Sequence, residues 1–183
     1  MEETTVTIIG LLIASIIMFV VPIILISDIS DDISELVVQT ATAEFVSDVI
    51  KTGEVNKNRY EQFVRSLQSS GNTYEIDMEI KILDENTSKY VTDADPSSIG
   101  NNTYYSLFTS QIEDKIGFSS AITDNNAVGR LVLKQGDGIS VTVRNSSATF
   151  SQALKNFYYN AKGNDIHIIA ASSSGTVAIN GTT

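Results

Sequence analysis

The sequence predicts an α+β fold in which one long N-terminal helix packs on a small antiparallel sheet with two or three short helices. Residues 6–26 form a run of twenty-one residues without a charge. Residues 28–52 then keep the three- and four-residue spacing of an amphipathic helix. Farther along, residues 74–82 alternate strictly between apolar and charged side chains, which is typical of a strand with one buried face in an antiparallel sheet.

The apolar run has the length and composition of a membrane-spanning helix. Twenty-one residues of helix span about 30 Å, the thickness of a hydrocarbon core. A cleaved secretory signal fits poorly because the first fifty residues contain no Lys or Arg. The central helix of a soluble core fits poorly too, because the remaining chain is too small to surround it. The run is therefore predicted to be held in lipid or in an assembly.

The helix is predicted to continue past the apolar run without a linker. Apolar residues recur at helical spacing, and acids occupy other angles; the apolar positions are Ile29, Ile33, Leu36, Val37, Phe45, Val46, Val49 and Ile50. Gly53 stands where a C-terminal cap is expected. These patterns predict a single helix about 70 Å long. Residues 1–27 are its transmembrane or filament-core part, 28–53 its amphipathic continuation, and 54–183 a globular head domain.

Two elements are predicted early in the head domain. Asn56 or Asn58 can cap a second helix, which contains Tyr60, Phe63, Val64 and Leu67 at helical spacing and ends near Gly71. The alternating strand over 74–82 follows, with Ile76, Met78, Ile80 and Ile82 predicted to face Phe45, Val46 and Val49 of the long helix.

The rest of the head domain is predicted from shorter patterns. A polar loop covers 84–103, and a helix near 105–116 turns Leu107, Phe108, Ile112 and Ile116 inward. Strands at 127–134 and 138–144 flank a turn at 135–137. A helix over 149–160 precedes a terminal hairpin, in which 166–171 pairs with 176–179 around Ser173, Ser174 and Gly175.

Composition argues against several classes of function. The formal net charge of −10 argues against a nucleic-acid partner, which requires clustered Lys and Arg. Cysteine is absent and His167 is the only histidine, so thiolate sites and Ser-His catalysis lack their usual residues. No phosphate-binding or nucleophile motif occurs. We expect neither an enzyme nor a cofactor or metal site; Asp93, Asp95 and Asp137 are weak calcium candidates in turns.

Acidic and glycosylation signals lie outside the apolar run. Asp28, Asp31, Asp32 and Glu35 are predicted to form an acidic stripe just beyond it, either solvated or in contact with a neighbouring subunit. Glu2 and Glu3 precede the run and are, like the stripe, candidates for charge contacts between subunits. Sequons at Asn86, Asn101, Asn145 and Asn180 would suit a head domain outside the cell. We also place the head domain outside because the peptide that precedes the apolar run is so short.

The architecture of residues 1–52 resembles the type IV pilin superfamily, which includes pseudopilins and tight-adherence pilins. In many mature pilins a helix proline lies about as far from the chain start as Pro22 does here. The segment 44–80 is similar to small pilin-like proteins encoded with pilus-assembly ATPases in anaerobic Gram-positive bacteria. The sequence departs from the family at Thr5, where pilins usually carry glutamate. The numbering therefore starts at the mature end, or the subunit is not processed in the usual way.

The resemblance implies a subunit of a helical homopolymer, stored in the membrane before a pilus-assembly machinery polymerises it through its N-terminal helix. The positions expected to carry polymerisation are Val6, Ile8, Ile9, Gly10, Leu11, Leu12, Ala14, Ser15, Ile16, Phe19 and Pro22. Small residues among them allow close helix contact. The alternative is a single-span, membrane-anchored extracellular binding or sensor domain.

Overall fold

The long N-terminal helix of the computed structural model is unbroken. The structure describes residues 2–84, 103–118, 129–147, 149, 169–179 and 181. Helix α1 runs from Glu2 to Thr52 with Pro22 inside it. It ends at Gly53, whose φ of +66° is the left-handed conformation that glycine adopts without strain. The predicted single helix and its glycine cap are confirmed.

The head domain adds eight described elements to α1. In chain order they are β1 (Glu54–Asn56), α2 (Lys57–Gln68), β2 (Tyr74–Asp84), β3 (Thr103–Phe108), α3 (Thr109–Ile116), β4 (Arg130–Val132), β5 (Gly138–Asn145) and β6 (Ala170–Thr176). Asn56 caps α2, as predicted, by accepting a 2.9 Å hydrogen bond from the backbone N–H of Arg59. The α+β class is confirmed.

In the described part of the chain, four strands form one antiparallel sheet in the order β3-β2-β5-β6. Strands β1 and β4 form a separate antiparallel pair. Helix α1 packs against β6, β5 and α2. Met78 and Ile80 of β2 are buried, and Ile76 and Ile82 pack at the margin of the same core. The predicted inward face of this strand is correct.

The core lies between the second half of α1, the sheet and α2. The rings of Phe45 and Phe63 stack with centroids 4.6 Å apart, and Tyr60 meets Phe118 edge-on at 4.7 Å. Strand β6 approaches α1 so closely that a Cβ on Gly175 would collide with the Ile50 side chain. The Tyr60 hydroxyl donates a 2.6 Å hydrogen bond to Glu113 of α3. Burial, reinforced by this carboxylate, raises the pKa of the Tyr60 phenol far above its usual range.

Three predictions about the head domain are wrong. The segment predicted as a helix from 105 begins as β3, and α3 starts only at Thr109. Phe108 points outward with 58% of its surface exposed. Ser173, Ser174 and Gly175 are not a turn but the middle of β6, which pairs with β5 over its whole length. Most of the predicted 84–103 loop and of the 149–160 helix lies outside the described residues.

Candidate functional site

The first half of α1 projects from the head domain. It contains a window long and apolar enough to cross a membrane, and none of that window is buried. Val6, Leu11 and Phe19 expose 69%, 73% and 66% of their surfaces. All the predicted polymerisation positions lie in this projecting half, and each of them is exposed.

Two small or unusual residues shape the projecting half. A Cβ placed on Gly10 would meet no heavy atom within 4 Å, so its helix face is open to a neighbour. Pro22 lies inside the helix and has no N–H to donate to the carbonyl four residues earlier. Five residues later, the Ser27 hydroxyl donates a 2.8 Å hydrogen bond to the Ile23 carbonyl. Hydroxyl bonds of this kind bend helices slightly.

The second half of α1 packs on the head domain through one face. Its buried positions repeat at three- and four-residue intervals, as a single helix face requires; they are Ser27, Asp31, Ser34, Val38, Thr42, Phe45, Val46 and Val49. The opposite face, around Ile29, Ile33 and Leu36, is exposed. The domain therefore begins to cover α1 at Ser27, one residue after the apolar run ends.

The predicted acidic stripe is divided by the structure. Asp31 is buried, and its carboxylate accepts a 2.6 Å hydrogen bond from the buried Thr149 hydroxyl. It therefore lies in a contact within the chain rather than on a solvated face. Asp32 is exposed, Asp28 is half-buried, and Glu35 accepts a 3.0 Å hydrogen bond from Gln39. Glu3 is exposed at the start of α1. The side chain of Glu2 lies outside the described residues.

Two hollows flank the second half of α1. A groove of about 640 Å³ lies between α1 and α2 and contains the Asp48–Arg59 ion pair, with atoms 2.7 Å apart. A smaller cavity of about 400 Å³ lies where the projecting half leaves the domain, between Ile23, Ile26, Asp31 and Asn72.

The remaining chemical candidates are structural or lie outside the described residues. Both Asp137 carboxylate oxygens accept backbone N–H groups, from Leu83 at 2.9 Å and Lys134 at 2.7 Å, so this aspartate fixes a turn. Within the described ranges, no group of three or more His, Cys, Asp or Glu could hold a metal ion. His167, Asp93 and Asp95 fall outside those ranges.

The one predicted glycosylation site in the described part of the chain is engaged in the fold. The Asn145 side-chain amide donates to the Ser147 carbonyl at 2.9 Å and accepts from the Ile169 N–H at 3.1 Å. A glycan on this nitrogen would disturb the first bond. The sequons at Asn86, Asn101 and Asn180 lie outside the described residues.

Comparison with protein-family models, curated proteins and solved structures finds no match for this chain. The functional argument therefore depends on α1 itself. Sequence patterns identified its projecting half but not the bond between Asp31 and Thr149, whose partners are 118 positions apart. No local pattern links residues at that separation.

Proposed function

We propose that this chain is the structural subunit of a type IV pilus-like filament at the cell surface, which polymerises through the projecting half of α1. The observation that carries the proposal is the exposed apolar helix, continuous with a helix packed on a folded domain. Burying one large apolar side chain is favourable by about 1.5–3 kcal/mol. A run of this length therefore requires lipid before assembly and copies of the chain after it.

The details of α1 favour helix-to-helix packing over permanent residence in lipid. Gly10, Ala14 and Ser15 allow close approach of another helix, and the space around Gly10 is open. The first fifty residues offer no Lys or Arg to fix the helix against anionic lipid headgroups. The head domain remains outside the membrane, and transfer from membrane to filament requires an assembly machinery, as the resemblance to pilins implies.

The residues that precede the apolar run suit a helix start. Glu3 lies in the first turn of α1, where a carboxylate interacts favourably with the helix dipole. Glu2 and Glu3 are proposed to take the place of the glutamate that pilins usually carry where this chain has Thr5. In a filament they would remain hydrated, pair with a cation or become protonated, because an unpaired buried carboxylate costs several kcal/mol.

A second candidate is a single-span, membrane-anchored binding or sensor domain. The groove between α1 and α2 favours it, since the groove has the volume of a small-molecule site and contains the charged residues Asp48 and Arg59. In that case α1 would remain in the bilayer and the groove would carry the function.

Electron microscopy of a cell-surface shear fraction tests the proposal. Cells with the natural chain should yield filaments, whereas Gly10→Leu or deletion of residues 6–15 should abolish them and leave the head domain folded. Met18→Leu, a conservative change at an exposed apolar position of the same helix, is the matched control. Unchanged filaments from the deletion variant would favour the membrane-anchored domain.

A further inference from the structure

The cavity at the base of the projecting helix has one apolar and one polar wall. It has a volume of about 400 Å³ and lies between α1 and the turn that follows α2. Ile23 and Ile26, which expose 45% and 66% of their surfaces, form the apolar wall. A cavity of this size and mixed lining suits an amphipathic ligand. The polar wall consists of Ser27, Ser30 and Asp31 of α1 with Ser70, Gly71 and Asn72 of the turn.

The Asp31 carboxylate in the polar wall has no cationic partner. Only 9% of the Asp31 surface is exposed, and its Oδ2 accepts the hydrogen bond from Thr149. Among the described residues, its Oδ1 has no hydrogen-bond partner, and no Lys, Arg or His forms an ion pair with it. No side-chain oxygen in the described part of the chain is both fully enclosed and unpartnered, so Oδ1 is open to the cavity. Removing a carboxylate from water without a cation is unfavourable, and a cationic ligand in the cavity would offset that cost.

Two uncharged polar groups of the same wall are also available to a ligand. Asn72 is half-buried, and within the described residues its amide, which can both donate and accept, makes no hydrogen bond. The exposed Ser30 hydroxyl likewise bonds to no described group. The hydroxyls of Ser27 and Ser70, by contrast, already donate to backbone carbonyls. The described wall therefore offers a ligand one carboxylate oxygen, one amide and one hydroxyl, and it contains no Lys, Arg or His.

The cavity lies at the depth of the lipid headgroups when α1 spans a bilayer. Ile26 is the last residue of the apolar run, and Asp31 follows five residues later, about 7.5 Å along the helix. The headgroup layer on each side of the hydrocarbon core is about 5–7.5 Å deep. A lipid beside α1 would therefore have its acyl chain against Ile23 and Ile26 and its headgroup beside Asp31.

The polar wall distinguishes lipid headgroups by charge and by hydrogen bonding. An anionic headgroup, such as that of phosphatidylglycerol, would be repelled by the Asp31 carboxylate. The quaternary ammonium of phosphatidylcholine has no N–H to donate. The primary ammonium of phosphatidylethanolamine has three N–H donors, as the lysine ammonium does, and charge-assisted hydrogen bonds of this kind are strong. The Asn72 amide and the Ser30 hydroxyl can donate to the phosphate of the same lipid.

We infer that this cavity binds one phospholipid with a primary ammonium headgroup, of the phosphatidylethanolamine class. The ammonium bonds to Asp31 Oδ1, while Thr149 holds the other oxygen of the carboxylate, and the acyl chain follows Ile23 and Ile26. This inference rests on the proposed function, because it requires the membrane-inserted state in which the subunit is stored before assembly. It adds a specific lipid partner to that state.

Native mass spectrometry of the full chain in detergent tests the selectivity. The chain is mixed with equal amounts of phosphatidylethanolamine, phosphatidylcholine and phosphatidylglycerol that have the same acyl chains, and the bound lipids are counted. The adduct with one phosphatidylethanolamine should be about tenfold more abundant than the phosphatidylcholine adduct, the lower end of what a hydrogen bond to a charged group contributes. Equal binding of the three lipids would overturn the inference.

Two variants test whether the lipid lies in this cavity. Asp31→Asn removes the charge, and Ser30→Phe fills the cavity from an exposed position without removing either partner of the Asp31–Thr149 bond. Each should reduce the phosphatidylethanolamine adduct to the level of the phosphatidylcholine adduct. Asp32→Asn and Thr40→Phe, at exposed positions that do not line the cavity, are the matched controls and should keep the preference. Thermal unfolding checks that each variant is folded, and if Asp31→Asn is not, Ser30→Phe decides. A preference that persists in Ser30→Phe would overturn the inference.

The outcomes separate this inference from the proposed function. If the natural chain does not float with lipid vesicles or yields no filaments in the shear fraction, the proposed function fails. If the natural chain floats and forms filaments but binds the three lipids equally, only the lipid site fails.

Discussion

The Thr149 hydroxyl donates a 2.6 Å hydrogen bond to the Asp31 carboxylate, and both residues are buried. Asp31 lies one turn past the point where α1 leaves the head domain, and Thr149 comes from the distant end of the chain. The bond therefore ties the C-terminal half of the sequence to the base of the projecting helix. It also distinguishes two neighbouring acids: Asp31 is buried and bonded within the fold, whereas Asp32 is exposed.

Thr149→Val should lower the free energy of unfolding by about 1.5–3 kcal/mol, because a hydrogen bond to a charged group is lost and the carboxylate stays buried. Thr149→Ser keeps the hydroxyl and should cost much less. Asp31→Lys should destabilise the domain, whereas Asp32→Lys, at an exposed position, should not. Denaturant unfolding measures all four. Equal stability of the two lysine variants would contradict the role given to Asp31.

The two faces of β2 provide a second test. Ile80 is fully buried and Glu79, the preceding residue, is on the outer face, where it accepts a 2.7 Å hydrogen bond from Ser106. Ile80→Ala should destabilise the domain by about 2–5 kcal/mol through lost burial and a cavity. Glu79→Ala should cost about 1 kcal/mol or less, since partly exposed polar contacts contribute little. Similar costs in denaturant unfolding would mean that the inward face is assigned wrongly.

Gly53 and Gly71 allow two costs of adding a Cβ to be compared: the cost of a left-handed backbone conformation and the cost of close packing. Gly53 and Gly71 both have positive φ, +66° and +83°. A Cβ on Gly53 would lie 2.5 Å from the Gly181 nitrogen and 2.7 Å from the Ile179 carbonyl oxygen, whereas a Cβ on Gly71 would meet no heavy atom within 4 Å.

Gly71→Ala should therefore lower the free energy of unfolding by about 1–2 kcal/mol, the cost of a left-handed conformation for a residue with a Cβ. Gly53→Ala should add about 1–3 kcal/mol of overpacking, because the atoms it meets belong to the backbone. Thermal unfolding of the two variants makes the comparison. A Gly53→Ala variant as stable as Gly71→Ala would contradict the close approach of the chain end to the cap of α1.

An element could be predicted from the sequence where the residues that determine it lie close together in the chain. α1 and β2 were predictable because their periodicity extends over many residues and each has a continuous partner surface. β6 was not, because Ser173, Ser174 and Gly175 have the composition of a turn. They form a strand because β5 pairs with them. Gly175, which has no Cβ, also allows β6 to pack closely on Ile50 of α1.

The start of α3 shows a related error. Leu107, Phe108, Ile112 and Ile116 have helical spacing, yet the first two belong to β3. The boundary falls at Thr109, whose hydroxyl accepts a 2.7 Å hydrogen bond from the Met78 N–H of β2. The projecting half of α1, in contrast, was predictable because its length and apolar composition are sufficient to indicate a helix that the rest of the chain does not bury. Which face of the second half of α1 the head domain covers is shown only by the structure.

The Tyr60–Glu113 hydrogen bond predicts how stability changes at alkaline pH. Burial and the Glu113 carboxylate raise the pKa of the Tyr60 phenol in the folded chain above its value in the unfolded chain, which is about 10. The folded state then holds a proton that the unfolded state releases. The stabilisation is complete below about pH 10 and falls as pH rises further.

In the Tyr60→Phe variant, the free energy of unfolding should therefore decline less steeply at alkaline pH than in the natural chain. Near neutral pH the same variant should be less stable by about 1.5–3 kcal/mol, because a hydrogen bond to a charged group is lost. Denaturant unfolding between pH 7 and 11 measures both, with Tyr105→Phe, at a half-exposed position, as control. A decline as steep in Tyr60→Phe as in the natural chain would mean that Tyr60 keeps an ordinary pKa in the folded protein.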